Sequence, residues 1–281
     1  MTLIPSILSV PPSPGVTARC AEARAIVLSN MPVNGEYRLL TLDAPAEVLD
    51  CAPGQFFQLL CPVPEGEHPF LRRPMSIYGY DAHAEQLQFL YKIAGAGTRG
   101  LATLRAGDTL NVLGPLGQGF TMPDAWQNLM LVARGVGLAT LAPLARMAQQ
   151  QGRSLTAICS ARSPELAMSV DLFRSYGAEV IVVHDEDGSS EVPALEALIE
   201  ARIAAGSVDA FYTCGSRRLL TMLQRLGQKH GIPGEIAMEQ QMACGLGMCQ
   251  ACVRPFREGN EVVHRRVCRE GPVFPISEAI A

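Results

Sequence analysis

Nowhere does the sequence reach the roughly 18 uninterrupted apolar residues that a membrane-crossing helix needs. Even its most apolar stretch, Asn128 to Ala148, is broken by Arg134 and by glycine and polar positions, so no membrane span is expected. The first twenty residues lack a basic cluster and a continuous apolar run and carry four prolines. That excludes the pattern of a secretory leader and predicts a flexible tail on a cytoplasmic protein. Positive charge is not in excess either: a formal net charge of -4 gives no general attraction for nucleic acid or anionic lipid. Internal repeats are absent. What is there, 48% hydrophobic and 18% charged residues over 281 positions, leaves room for two globular domains and a small appended module.

The texture of the chain changes once, near Pro123. Before it come short strand-like segments (EYRLLTLDA, QFFQLLCP, SIYGYDA, QLQFLYKIA and TLNVLGPLG) separated by Pro, Gly and Asp turns, the rhythm of a small β-barrel. After it, apolar strands alternate with amphipathic helical stretches. LMLVA precedes LATLAPLARMAQQ, LTAICSA precedes SPELAMSVDLFRSYG, VIVVHD precedes PALEALIEARIAAG, and DAFYTCG precedes RRLLTMLQRLGQKHG. Alternation of this kind predicts a parallel, doubly wound sheet. The expected division is a tail over 1–22, a β-barrel over 23–123, an α/β nucleotide-binding domain over 124–233 and a C-terminal module over 234–281.

Nine cysteines are present, and four of them crowd into the last forty residues as Cys244, Cys249, Cys252 and Cys268. Their spacing is C-x4-C-x2-C-x15-C, whose first three members match plant-type [2Fe-2S] ligation. Thiolates are soft ligands suited to iron and sulfide, and a short loop can wrap three around one cluster while a returning strand brings the fourth. Gly245 and Gly247 let such a loop turn its N–H groups toward sulfur. A structural zinc site with four cysteines is the alternative, although zinc ribbons usually present two C-x2-C knuckles. The scattered Cys20, Cys51, Cys61 and Cys159 read as ordinary thiols.

Other motifs are weaker singly. Arg72 and Arg73 precede Pro74, Met75 and Ser76, a basic pair, a fixed turn and a hydroxyl able to clamp a pyrophosphate and a ring edge, or simply surface charge. After Tyr91, Lys92 and Ile93, the turn with Gly97 and Thr98 suits a phosphate or a plain strand-to-helix turn. Gly114 to Phe120 is rich in turn formers. LMLVA leads into Gly135 and Gly137 where a doubly wound sheet sets phosphate against a helix, and Arg162, Asp187 and Cys214 follow later strands on the same carboxyl edge. The acidic run at 185–187 reads equally well as a solvated loop.

Taken in order, these blocks resemble the electron-transfer subunits of heteromeric, NAD-linked dihydroorotate dehydrogenases, within the ferredoxin-NADP reductase superfamily. The likeness extends over nearly everything after the tail. It implies FAD held by Arg73, Pro74, Met75 and Ser76, with Tyr91, Lys92, Ile93, Gly97 and Thr98 adding contacts. It also implies a pyridine nucleotide, NAD or NADP, over Gly135, Gly137, Arg162 and Asp187, and Cys214 as the strand-end cysteine facing nicotinamide and flavin. The same resemblance implies a [2Fe-2S] cluster on the four clustered cysteines and a catalytic oxidoreductase partner in a hetero-oligomer. Other reductase subunits share these parts: a ferredoxin:NADP oxidoreductase, a sulfide dehydrogenase, a hydrogenase, or an assembly subunit without nucleotide turnover. One departure stands out. Where the family has three glycines, this chain has Ala133, Arg134 and Gly135, placing a guanidinium at the pyrophosphate approach, either to obstruct the dinucleotide or to grip its phosphates.

Overall fold

The computed structural model describes residues 20–280. The expected tail lies outside that range as far as residue 19, and Ala21 and Glu22 already begin the first strand. The first half folds as seven strands: β1 (Ala21–Pro32), β2 (Tyr37–Asp43), β3 (Phe56–Leu60), β4 (Arg73–Ser76), β5 (Gly79–Asp81), β6 (Gln86–Lys92) and β7 (Thr109–Leu116), with helix α1 (Ala96–Thr103) before the last. They form one curled antiparallel sheet in the order β4-β3-β7-β1-β2-β6-β5. Strand β1 carries no bulky apolar run, yet Ala23, Ala25 and Val27 alternate inward against outward Glu22, Arg24 and Ile26, which is the period of a half-buried strand. The segment expected as one strand from Ser76 to Ala82 is two, because Ile77 sinks into the barrel core between β4 and β5. Phe57 and Phe89 meet edge to face in that core, 5.7 Å apart.

The second half continues with β8 (Asn128–Arg134), α2 (Gly137–Gln150), β9 (Ser154–Ala161), α3 (Val170–Ser175), β10 (Glu179–His184), α4 (Val192–Ala204), β11 (Ala210–Cys214) and α5 (Arg217–His230). It closes with β12 (Gly234–Ala237), β13 (Val253–Glu258), β14 (Glu261–Arg266) and β15 (Val273–Pro275). The sheet order is β10-β9-β8-β11-β12-β15, parallel except for β15. Along β8, Leu129, Leu131 and Ala133 pack into one apolar layer with α2, while Met130 and Val132 pack into the other with α5. Burial on both faces is why this strand is apolar throughout. Connections run in opposite directions from β8 and from β11, so a crevice opens at the carboxyl ends of these two neighbours. Among the described residues no helix is long and apolar enough to cross a membrane.

Two expectations change. The helix expected over 163–177 is broken, because Ser169 takes a φ of 62°, and only Val170–Ser175 remains α-helical. The boundary expected at Gly234 falls inside the second sheet. β12 pairs with β11, and β15 returns from the cysteine-bearing stretch to pair with β12. Around that return, Phe256 and Phe274 stack 4.1 Å apart, and Cys252, Val267, Cys268 and Ile276 join the layer beneath α5.

Candidate functional site

β4 is an edge strand, which is why it tolerates Pro74 without losing a ladder hydrogen bond. Its residues Pro74, Met75 and Ser76 form one wall of a cavity of about 270 Å3. Val136, Ala139 and Thr140 at the start of α2, with Cys214 at the end of β11, form the opposite wall, and Met238 to Gln240 and Met242 form the floor. The cavity lies beside a groove of about 680 Å3 between Phe70–Pro74 and Glu239–Met242.

Arg73 crosses directly over Gly97: a Cβ at Gly97 would stand 2.7 Å from both Cγ and Nε of the arginine. Gly97 is therefore needed for the path of Arg73. The Thr98 hydroxyl is engaged in its own turn, accepting from the N–H groups of Ala94 at 2.9 Å and Gly95 at 3.0 Å and donating to the Gly95 carbonyl. Tyr91 points into the barrel and donates to Asn30 Oδ1 at 3.0 Å. Lys92 pairs with Glu36 at 2.8 Å, and Ile93 sits at the surface. Of the nine residues expected around a flavin, Arg73, Pro74, Met75 and Ser76 line the cavity or groove, Gly97 lies against Arg73, the side chains of Tyr91, Lys92 and Thr98 are occupied elsewhere, and Ile93 is at the surface.

Cys214 is fully buried against the cavity. Desolvation, reinforced by the negative charge of Glu239, pushes its thiol up to about 12. Gly137 serves this junction, since a Cβ there would collide with the Cys214 carbonyl at 2.5 Å; α2 approaches β11 only because that position is bare. Burial also raises the Glu239 carboxyl above its usual range. Sequence reasoning passed over Glu239, although an acid following the apolar Ile236-Ala237-Met238 and five residues before the first clustered cysteine was a signal.

At the carboxyl edge the charges answer one another. Arg134 Nη1 donates to Asp185 Oδ1 at 2.9 Å and to Ser160 Oγ at 3.1 Å, while Nη2 donates to Asp185 Oδ2 at 2.5 Å. The guanidinium thus spans from the end of β8 over β9 to the loop after β10. Its hydrogen bonds, with one from Ser190, lower the Asp185 carboxyl to about 2. Arg162 pairs with Glu36 of the barrel, beside Lys92 and Gly135, around a small cavity of about 130 Å3. Asp187 accepts from the Ser189 N–H at 2.8 Å and lies 3.1 Å from His184 Nε2, so it is tied into its own turn.

The four C-terminal cysteines stand as two pairs. Cys252 and Cys268 are buried with their sulfurs 3.1 Å apart, while exposed Cys249 lies close enough to half-buried Cys244 to favour its thiolate. Positive φ at Gly245, Gly247 and Gln250 curls the intervening loop. The curl aims the Leu246 N–H at Cys244 Sγ, 3.3 Å away, and the Gly247 N–H at Cys268 Sγ, 3.2 Å away. At Cys244 desolvation raises the thiol, but donors from Cys249, Leu246 and Met248 outweigh it and bring the group down to about 6. Cys268 moves the other way, to about 12, through desolvation and its buried neighbour Cys252. Among the described residues no three His, Cys, Asp or Glu side chains are arranged around a single ion.

Residues 239–280 match the model of the iron-sulfur cluster binding domain of dihydroorotate dehydrogenase B. The electron transfer subunit of dihydroorotate dehydrogenase B (NAD(+)) from Caldanaerobacter subterraneus subsp. tengcongensis is 33% identical over 92% of this chain and 98% of that protein. The chain belongs to this family of electron transfer subunits. The family member of the same name from Shouchella clausii is also 33% identical, over 81% of this chain and 86% of its own length. In fold, the chain resembles a solved NADH-dependent reduced ferredoxin-NADP oxidoreductase, with a TM-score of 0.75 and 23% identity over 90% of this chain and 88% of that one. A ferredoxin reductase of carbazole 1,9a-dioxygenase aligns with a TM-score of 0.59 and 18% identity, over 76% and 67% of the two chains. For this family member the match begins at Glu239, in the cavity floor, and runs on through all four cysteines, so one continuous segment contributes both to the cavity and to the thiol pairs.

Proposed function

We propose that this chain is the electron-transfer subunit of an NAD-linked dihydroorotate dehydrogenase complex, working beside a catalytic partner subunit. FAD would lie in the cavity and groove, a [2Fe-2S] cluster on Cys244, Cys249, Cys252 and Cys268, and NAD(P) at the carboxyl edge. The observation that carries the reading is the short stretch from Met238 to Cys244, which floors the cavity at one end and supplies the first clustered thiol at the other.

The residues fit these groups. Two cysteines sharing one ion sit about 3.7 Å apart on the edge of a tetrahedron, and a lone four-cysteine zinc needs all four at that spacing. Thiols brought together two by two would suit two irons bridged by sulfide. The N–H groups of Leu246 and Gly247 favour sulfur that carries negative charge. Arg73, whose Nη1 already donates to the Leu71 carbonyl, would hold a diphosphate in the groove with the rest of its guanidinium. Met75 and Ser76 line the cavity opposite Cys214, which keeps its proton on Sγ through the physiological range and so offers a compact neutral surface. A flavin bound there supplies the exchange between hydride and single electrons that neither a nicotinamide nor an iron-sulfur centre performs alone.

Anaerobic visible spectra of the purified chain before and after NADH test this. The expected result is flavin and iron-sulfur absorbance, both bleaching on addition. A second reading, a subunit that no longer turns over nucleotide, is favoured by one observation, the Arg134–Asp185 bridge along the carboxyl edge beside the crevice. Bleaching by dithionite but by neither NADH nor NADPH would select it.

A further inference from the structure

Strand β3 reads Phe56-Phe57-Gln58-Leu59-Leu60, and Gln58 is the one polar side chain in it. Gln58 is fully buried, and neither Oε1 nor Nε2 of its carboxamide has a hydrogen-bond partner among the described residues. Leaving a buried amide unsatisfied is destabilising, and a leucine of similar size would avoid that cost. The position of the orphaned group is informative. A Cβ on Gly245, in the cysteine loop, would stand 2.6 Å from Gln58 Nε2, 2.8 Å from Cγ and 3.1 Å from Cδ. Gly245 directly follows Cys244, and the next two N–H groups in the loop already point at cysteine sulfurs. On its other side, Gln58 is paired in the sheet with Pro74 of the cavity wall.

We infer that Gln58 is a positioning residue for the iron-sulfur centre, donating its Nε2–H to sulfur beneath the Cys244–Gly245 turn on the side that faces the flavin cavity. The inference rests on the functional reading above. The barrel has no other polar side chain in this strand to reach under the loop, and the bare Gly245 leaves the space through which the amide reaches. A donor to cluster sulfur stabilises the more negative, reduced state, so it raises the reduction potential. It also ties the first sheet to the cysteine loop through a bond that forms only when the centre is assembled.

The test is the cluster's midpoint potential and reduced-state EPR spectrum in wild type, Gln58→Leu and Gln58→Glu. With iron and flavin contents equal to wild type, Gln58→Leu should shift the electron-sharing equilibrium between cluster and flavin about tenfold toward the flavin, ~59 mV for one electron. Gln58→Glu, which replaces the donor by an acceptor of the same size, should shift it at least as far. A purely structural role would alter melting temperature and leave the potential and g-values in place. An unmoved potential in a fully loaded Gln58→Leu protein overturns the inference alone, whereas a wild-type chain without iron overturns both it and the functional reading. Should neither variant assemble, wild type carrying 15N in the glutamine side-chain amides decides: a hyperfine coupling from 15N to the reduced centre supports the inference, and none overturns it.

Discussion

The cysteine loop and the carboxyl edge of the second sheet are both dense in polar groups, but they are balanced in opposite ways. Around the loop, donors outnumber what the chain gives them to bind: two N–H groups point at thiols, one thiol is driven toward its anion, and a buried carboxamide stands unpaired. At the carboxyl edge, the charges singled out above already have partners: Arg134 with Asp185, Arg162 with Glu36, and Lys92 with the same glutamate. The first leaves polar groups that a ligand would satisfy. The second is the state of an edge whose charges are already neutralised by one another. Polar residues concentrated at a strand end do not by themselves announce a ligand; the unsatisfied remainder does.

The contrast can be broken most forcefully at the buried thiol pair. Replacing Cys252 or Cys268 by serine should reduce iron content to background and lower the melting temperature, read by elemental analysis and a thermal scan, because both sulfurs lie in the apolar layer beneath α5. Gly245→Ala comes next. It adds a Cβ at a φ of 72° and against Gln58, which should cost about 1–3 kcal/mol in denaturant unfolding and cut cluster loading. On the other side of the comparison, Arg134→Gly removes the bridge beside the crevice and should tighten NADH binding about tenfold, ~1.4 kcal/mol, in a fluorescence titration. Weaker binding instead would mean that the guanidinium grips the diphosphate.

Acid sharpens the same point. The Asp185 carboxyl is depressed in the folded chain to about 2 by Arg134, so the stability it contributes is fully present above about pH 4 and is lost as pH falls toward 2. Asp185 is half-exposed and solvent screens the pair, so the contribution is modest; Arg134→Gly should flatten that part of an acid-unfolding curve. Smallest of all, Glu36→Gln should lower the melting temperature only slightly and lose its effect in high salt, since the ion pairs around Glu36 are exposed.

How much of this could be read beforehand follows the range of the forces involved. The cysteine spacing was legible because a ligand loop is a local object, specified by glycines and intervals within one short segment. Alternation of strands and helices was legible for the same reason. Three features were not. β1 hides its period behind alanines, and the break at Ser169 depends on one left-handed residue inside an otherwise helical composition. The place of β15 in the sheet depends on pairing with a strand nearly forty residues earlier, which no local pattern records. Gln58 lies between these cases: a lone amide between two phenylalanines and two leucines was visible, but its meaning appears only when the strand is seen beneath Gly245. Arg134 is similar, conspicuous as a replacement for glycine yet silent about Asp185, fifty-one positions later.

The central claim, that paired thiols hold two irons beside a flavin cavity, is tested most directly by counting iron, acid-labile sulfide, zinc and flavin in the anaerobically purified chain. Roughly two irons, two sulfides and one flavin per chain are expected, with no zinc. Stoichiometric zinc with no iron, or iron without flavin, would contradict it.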